Sequence, residues 1–175
     1  RLNGISYEAL PIETNDEGKE NLFAGRCDVY TTDASGLSST RAAAADPSKW
    51  LVLPEIISKE PLGPLVRHGD HQWGDVVRWS LNAMIIAEEL GITSENVDAS
   101  LGSNVPEVLR LLGVEGSYGE MLELAPDWAY QILKQIGNYS ESYEANVGPD
   151  TPLEIARGLN ALWTQGGILY APPFR

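Results

Sequence analysis

The chain contains a single cysteine, Cys27, so no disulfide can form within it and no thiolate cluster can hold zinc. Two readings of Cys27 stay open: a small buried core thiol, or half of a bridge to another chain. Cations are scarce as well, with 12 Lys and Arg against 25 Asp and Glu, a formal charge of −13. No Lys/Arg-rich run makes a local exception, so phosphate backbones and anionic membrane surfaces repel the chain. Nucleic-acid binding is excluded on that ground. Long apolar runs are missing too: a membrane span needs ~18 residues. The best stretch, Leu81 to Ala87, is broken by Asn82 and followed by Glu88 and Glu89. The opening Arg1-Leu2-Asn3-Gly4-Ile5 does not read as a signal peptide. What is present is a 175-residue chain that is 43% apolar, enough to bury a substantial core in one domain or in part of a two-lobed one.

Two halves differ in grammar. Up to about residue 67, short apolar runs alternate with loops, which predicts strands mixed with short helices. Tyr7 to Leu10 is a strand closed by Pro11. Asn15-Asp16 introduces a helix over Glu17 to Ala24, with Gly25 past its end. Cys27 to Thr32 is β-branched and aromatic, with Cys27, Val29 and Thr31 on one face, and so completes a strand–helix–strand opening. Leu51 to Leu53 and Gly63 to Val66 supply two further short strands.

From Asp70 the pattern turns helical. Asp70 caps a helix over His71 to Leu90, and Gly91 ends it. One apolar stripe holds Trp73, Val76, Val77, Leu81, Met84 and Ile85; a second holds Trp79, Ala83, Ile86 and Leu90. Two stripes predict a helix covered on more than one side. Pro106 to Leu112 and Pro126 to Ile136 follow as helices, the latter with Ala129, Ile132, Leu133 and Ile136 on one face. Thr151-Pro152 opens another, with Glu154 completing a capping box and Ile155, Leu159 and Leu162 as its stripe up to Gly166-Gly167. Pro172-Pro173 marks an extended tail. No repeat or low-complexity segment is found.

Most constellations of chemical interest have bland readings. His68 and His71 are the only histidines, and with Asp70 they have the residue types of metal ligands. The Gly-Asp between them reads instead as a turn into a helix cap, so no metal site is expected. Ser35, Ser38 and Ser39 lie in no Gly-x-Ser-x-Gly elbow. No Gly-rich phosphate loop occurs, and Asn138-Tyr139-Ser140 matches the glycosylation triplet, a weak signal alone. No catalytic residue is assigned and no cofactor is expected. Asp33 differs. It follows the predicted strand Cys27 to Thr32, at the end where open α/β sheets bind ligands, beside the hydroxyls of Thr31 and Thr32. A carboxylate there suits a cation such as an α-ammonium group. It equally suits a cap on the following segment, and spacing alone does not separate the two.

The segment Gly25 to Asp33 resembles the second-lobe strand of periplasmic amino-acid-binding proteins. The likeness continues through Leu53 to Pro64, through Ala156 to Trp163 and through Gly167 to Arg175. Together these blocks are similar to the general L-amino-acid-binding proteins of polar amino-acid ABC importers. The resemblance implies the later part of an α/β, two-lobed periplasmic binding protein, with a helix-rich C-terminal half and an incomplete first lobe. Residues 1–60 would be the later part of the second, ligand-binding lobe, 61–67 the return hinge strand, and 68–175 the end of the first lobe plus a helical extension. Asp33 would take the ligand's α-ammonium and Thr32 would line the pocket.

The same resemblance implies a periplasmic or extracytoplasmic protein, its signal peptide not within this chain, that binds an L-amino acid without chemistry and serves a membrane permease. The family's carboxylate-clamping Arg has no counterpart here, so binding by the chain alone is expected to be weak or absent. The alternative is a truncated paralogue acting as a protein-interaction or regulatory module. The uncovered stripe of His71 to Leu90 is expected to drive a homodimer, a swapped assembly or capture of a partner fragment.

Overall fold

The computed structural model describes Gly4 and residues 6–175, which divide into two compact units, one ending at Glu60 and one running from Pro61 to Arg175. Most of the opening segment read above for a signal peptide lies outside the described residues.

The first unit is organised by caps. Thr14 has extended backbone and accepts the Glu17 amide at 3.2 Å, opening helix α1 (Asn15–Phe23). Asp16 and Glu17 place negative charge in its first turn, where the helix dipole favours it. The helix therefore starts two residues earlier than the acidic pattern suggests. Tyr30 returns to α1 by donating its hydroxyl to Asn15 Oδ1 at 3.0 Å. Helix α2 (Ala34–Ala42), not foreseen from the sequence, starts directly after Asp33. A 3-10 turn, Pro47–Lys49, brings Trp50 edge-on to Phe23, with ring centroids 5.1 Å apart.

The four expected strands are not formed among the described residues. Tyr7 to Leu10, Cys27 to Thr32, Leu51 to Leu53 and Gly63 to Val66 have no ladder partner, and the one β-bridge, Leu162 with Leu169, lies elsewhere. The reason is pairing rather than propensity: a strand exists only where a neighbour satisfies its amides and carbonyls. Val29, Leu51 and Leu65, at 74%, 79% and 98% exposure, stand open to solvent as apolar residues of a paired sheet would not.

The second unit is a helical assembly around a true core. Asp70 caps α3 (His71–Glu89) by accepting the Trp73 amide at 3.1 Å, and Gly91, at φ +68°, turns the chain away after it. Four shorter helices follow: α4 (Val97–Ser100), α5 (Pro106–Leu111), α6 (Tyr118–Met121) and α7 (Trp128–Ile136). The last, α8 (Tyr139–Asn146), precedes the C-terminal segment. Helix α3 packs against α5, α7 and α8, and α4 against α7. Ala83, Ile86 and Ala87 meet Val108, Leu111, Leu112, Ala129 and Leu133 in the core.

The two stripes of α3 fare differently. Ala83 and Ile86 of the second are buried, with Trp79 and Leu90 packed against the core. In the first, Ile85 is buried but Trp73 and Leu81 are exposed. On α7, Ala129 and Leu133 are fully buried, whereas Ile136 at the end of the same face is exposed.

The helix expected from Thr151 does not form. Thr151 Oγ1 accepts the amide of Leu153, two residues on, and donates to Gly148 O, which makes a tight turn instead of a cap. Glu154 and Gly158 then take positive φ, +52° and +48°, which no right-handed helix accommodates. Two 3-10 turns, Gly158–Asn160 and Trp163–Gln165, replace it. Leu162 still reaches the core at 3% exposure, while Leu159 of the same expected stripe is 57% exposed. The capping box in this region belongs to α8: Asn138 Oδ1 accepts the Glu141 amide and Glu141 Oε2 accepts the Asn138 amide.

Candidate functional site

Asp33 stands with extended backbone, φ −61° and ψ 153°, at the mouth of α2. Its Oδ1 accepts the Gly36 amide at 2.7 Å and the Ser35 hydroxyl at 2.5 Å. Oδ2 receives the Thr32 hydroxyl at 3.5 Å. These bonds favour the charged form: the Ser35 hydroxyl first, then the Gly36 amide, hold the carboxyl below its ordinary range against a smaller opposing effect of burial. The side chain is half-buried, so the charge is held in place yet reachable.

The sequence permits this arrangement at two positions beyond Asp33 itself. Gly36 has no side chain, and a Cβ there would stand 2.9 Å from Asp33 Oδ2 and 3.2 Å from Thr32 Cγ2. Ser35 supplies the shortest of the hydrogen bonds. Neither stood out in the sequence as part of the site, although Asp-x-Ser-Gly is the local grammar of a capped turn. Asp33 and Thr32 are brought together, and Asp33 is a helix cap. The capping role does not exhaust the carboxylate: Oδ1 carries the two short bonds that serve the helix, while the Thr32 hydroxyl meets Oδ2 only at long range. An ionised oxygen so placed can accept from a cationic N–H donor.

The remaining sequence candidates form no comparable centre. His68 and His71 flank the Asp70 cap and line a shallow hollow of about 360 Å³ with Arg67, Asp75 and Arg78. No group of three or more His, Cys, Asp or Glu side chains among the described residues is arranged to hold a metal ion. Cys27 is half-buried and carries no disulfide. No described helix is long and apolar enough to cross a membrane.

No family model matches the chain. Individual proteins do. The glutamate/glutamine/aspartate/asparagine-binding protein of Rhodobacter capsulatus is 52% identical over 176 residues, covering 100% of this chain and 52% of that protein. The general L-amino acid-binding periplasmic protein of Rhizobium johnstonii is 51% identical over 177 residues, again covering 100% of this chain and 52% of its own length. Among solved structures, an ABC transporter periplasmic binding protein from Brucella ovis with glutathione bound superposes with a TM-score of 0.90. It shares 48% identity, over 99% of this chain and 55% of the other. The chain thus spans about half the length of the relatives it matches.

Proposed function

We propose, from the premise that this chain is a half-length homologue of amino-acid-binding proteins of ABC transporters, that it supplies one wall of an amino-acid-binding cleft. It binds and releases without chemistry, outside the cytoplasm, in the service of a membrane permease. The observation that carries this reading is the identity of about one half along the whole chain with two amino-acid-binding proteins. Residues 1–60 take the role of the later part of the ligand-binding lobe, 61–67 that of the return hinge strand, and 68–175 that of the end of the first lobe with its helical extension. In this reading the segments that lack ladders here are strands of an α/β sheet once neighbours are supplied.

Asp33 answers the α-ammonium group through Oδ2, and Thr32 lines the same wall. The ionised state maintained by Ser35 and Gly36 suits this task, because an ammonium needs a charged acceptor. Glutathione, the ligand of the Brucella ovis structure, carries the same pair of groups at its γ-glutamyl end: a free α-ammonium and a free α-carboxylate. One carboxylate can therefore read either class. The carboxylate end of the ligand requires donors that Asp33 cannot provide. Hydrogen bonds to charged groups contribute about 1.5–3 kcal/mol each. The chain alone is accordingly expected to bind at millimolar or weaker, even if a complete cleft binds at about micromolar.

The deciding experiment replaces the matching half of the Rhodobacter capsulatus protein by this chain and titrates the chimera calorimetrically with glutamate, glutamine, aspartate, asparagine and glutathione. Asp33→Asn keeps a side-chain acceptor for the cap while removing the charge. It is expected to weaken binding by about 2–5 kcal/mol, the range for removing one partner of a buried charge pair. Unchanged affinity in that variant would remove Asp33 from the site. A second reading, an interaction module without amino-acid binding, draws on the exposed apolar side chains Leu51, Leu53, Ile56 and Ile57. A chimera that folds yet binds none of the five ligands would favour it.

A further inference from the structure

The residues after Ile155 form no α-helix, yet the helices hold them at widely separated points. Arg157 Nη2 donates to both oxygens of Glu88, at 3.0 and 3.1 Å. Its Nε and Nη2 also reach Asn160 O at 3.0 and 2.8 Å. The guanidinium carbon lies 5.2 Å from the ring centre of Tyr139 and 5.3 Å from that of Tyr143. Tyr143 adds a bond from its hydroxyl to Ala156 O at 3.2 Å. The ion pair is nearly dry, with side-chain exposures of 15% for Arg157 and 8% for Glu88. Next, Trp163 Nε1 donates to Glu89 Oε1 at 2.8 Å. At the far end Phe174 lies against Trp79, Tyr118 and Trp128, with centroid distances of 5.3, 5.3 and 6.2 Å, and Arg110 Nε holds its carbonyl at 3.0 Å.

Between these anchors the segment carries its own structure. Ile168 donates to Leu159 O, Trp163 to Leu169 O, Leu169 to Ala161 O and Gly167 to Leu162 O, all within 3.2 Å. Pro172-Pro173 then forms a stiff link to Phe174. A piece that is cross-braced internally and tied to the helices mainly by side chains has the means to detach without dissolving.

We propose that residues 156–175 form a strap over the second unit, locked by a guanidinium cage made of Glu88, Tyr139 and Tyr143. When the guanidinium leaves the cage the strap opens as one piece and uncovers the aromatic floor of Trp79, Tyr118 and Trp128. The lock is specific for a flat cation. Arg157 meets two carboxylate oxygens, one carbonyl and two ring faces at once, whereas a lysine ammonium is a compact point charge that cannot satisfy that set. Leaving Glu88 buried without its partner is strongly unfavourable, so losing the cation drives the strap away from the helices.

Native-state hydrogen exchange on the full chain in low denaturant tests the wild type first. The amides of residues 161–169 are expected to exchange together, through an opening at least about tenfold more populated than the one that exposes α3. Arg157→Lys and Arg157→Met are each expected to raise that opening about 100-fold and to speed proteolytic cleavage within 156–175 equally. The α3 amides should exchange more slowly than the strap in both variants. A lysine variant that keeps the wild-type opening would overturn the cage. Exchange of 161–169 only together with α3, or release of residues 157–163 while Trp79 and Trp128 stay shielded from quencher, would overturn the strap as a separate unit.

Discussion

The two units are stabilised by different physics. In the second, buried Ile86, Leu111, Leu112 and Leu133 interlock α3 with α5 and α7, and no cap is needed to explain why α7 forms. In the first, the described residues that are buried are Gly18, Asn21, Ser38 and Thr40, and no large apolar side chain among them is. Its helices depend on Thr14 and Asp33 at their starts and on single contacts such as Phe23 with Trp50. Burial supplies the large favourable terms in folding, whereas a cap is worth about 0.5–2 kcal/mol. The second unit has the means of a cooperative domain, while the first has well-formed local structure in search of a cover.

This contrast can be broken most forcefully in the core. Leu133→Ala is expected to destabilise the second unit by about 2–5 kcal/mol, since Leu133 is fully buried and its neighbours are fixed on other helices. Chemical denaturation followed by exchange of α3 and α7 amides checks it, and exchange in α1 and α2 should hardly respond. A parallel loss of α1 and α2 would show that the two units share stability.

A smaller and purely local effect is expected at Asp33. Asp33→Ala removes the cap and should weaken α2 by about 0.5–2 kcal/mol, with Asp33→Asn close to wild type at neutral pH. The two diverge on acidification. Because folding lowers the Asp33 pKa, the charged carboxylate's contribution is fully present above the unfolded carboxylate range and is lost as pH falls through the lower folded value. Protection of the α2 amides should therefore fall across that acidic window in wild type and stay flat in Asp33→Asn. A matching decline in Asp33→Asn would assign the acid sensitivity to another group.

The least consequence is expected from Lys134→Ala. Lys134 bonds Asp98 at 2.7 Å between α7 and α4, and Tyr130 shares that carboxylate at 3.0 Å, but the ion pair itself is exposed. Salt screens such contacts. A thermal midpoint indistinguishable from wild type at high ionic strength is the expected result, and a large shift there would reveal a tie between α4 and α7 beyond the core.

What could be read in advance follows the range of the interaction. Asp70 and Gly91 bound α3 as expected, because a cap and a left-handed stop are decided within a few residues. Helix α8 escaped a search for apolar periodicity because it has no buried residue to mark a stripe. Its signature was in plain sight in Asn138 and Glu141, the first of which was read only as part of a glycosylation triplet. The helix expected from Thr151 failed for the opposite reason: Ile155, Leu159 and Leu162 have helical spacing, but Arg157 is claimed by Glu88 across the fold, a partner that spacing does not reveal. Strand formation was least legible, since Cys27 to Thr32 has the right residues and a ladder needs another segment. At Asp33 both readings drawn from the sequence were chemically sound, and the cap is the one visible in the geometry.

The aromatic box around Phe174 also bears on how fast this molecule can reach its native state. Helical assemblies fold quickly because most of their contacts are local. Here the closing contacts join residues 64, 69 and 74 positions apart, from Arg110 to Phe174, Glu88 to Arg157 and Glu89 to Trp163. Each requires a long loop to be closed before any return is gained, an entropic cost that grows slowly with length but comes early. The helices around α3 can thus assemble ahead of the final residues, leaving Trp79 and Trp128 wet in an intermediate. Tryptophan fluorescence during refolding would then report the last kinetic phase rather than the first collapse.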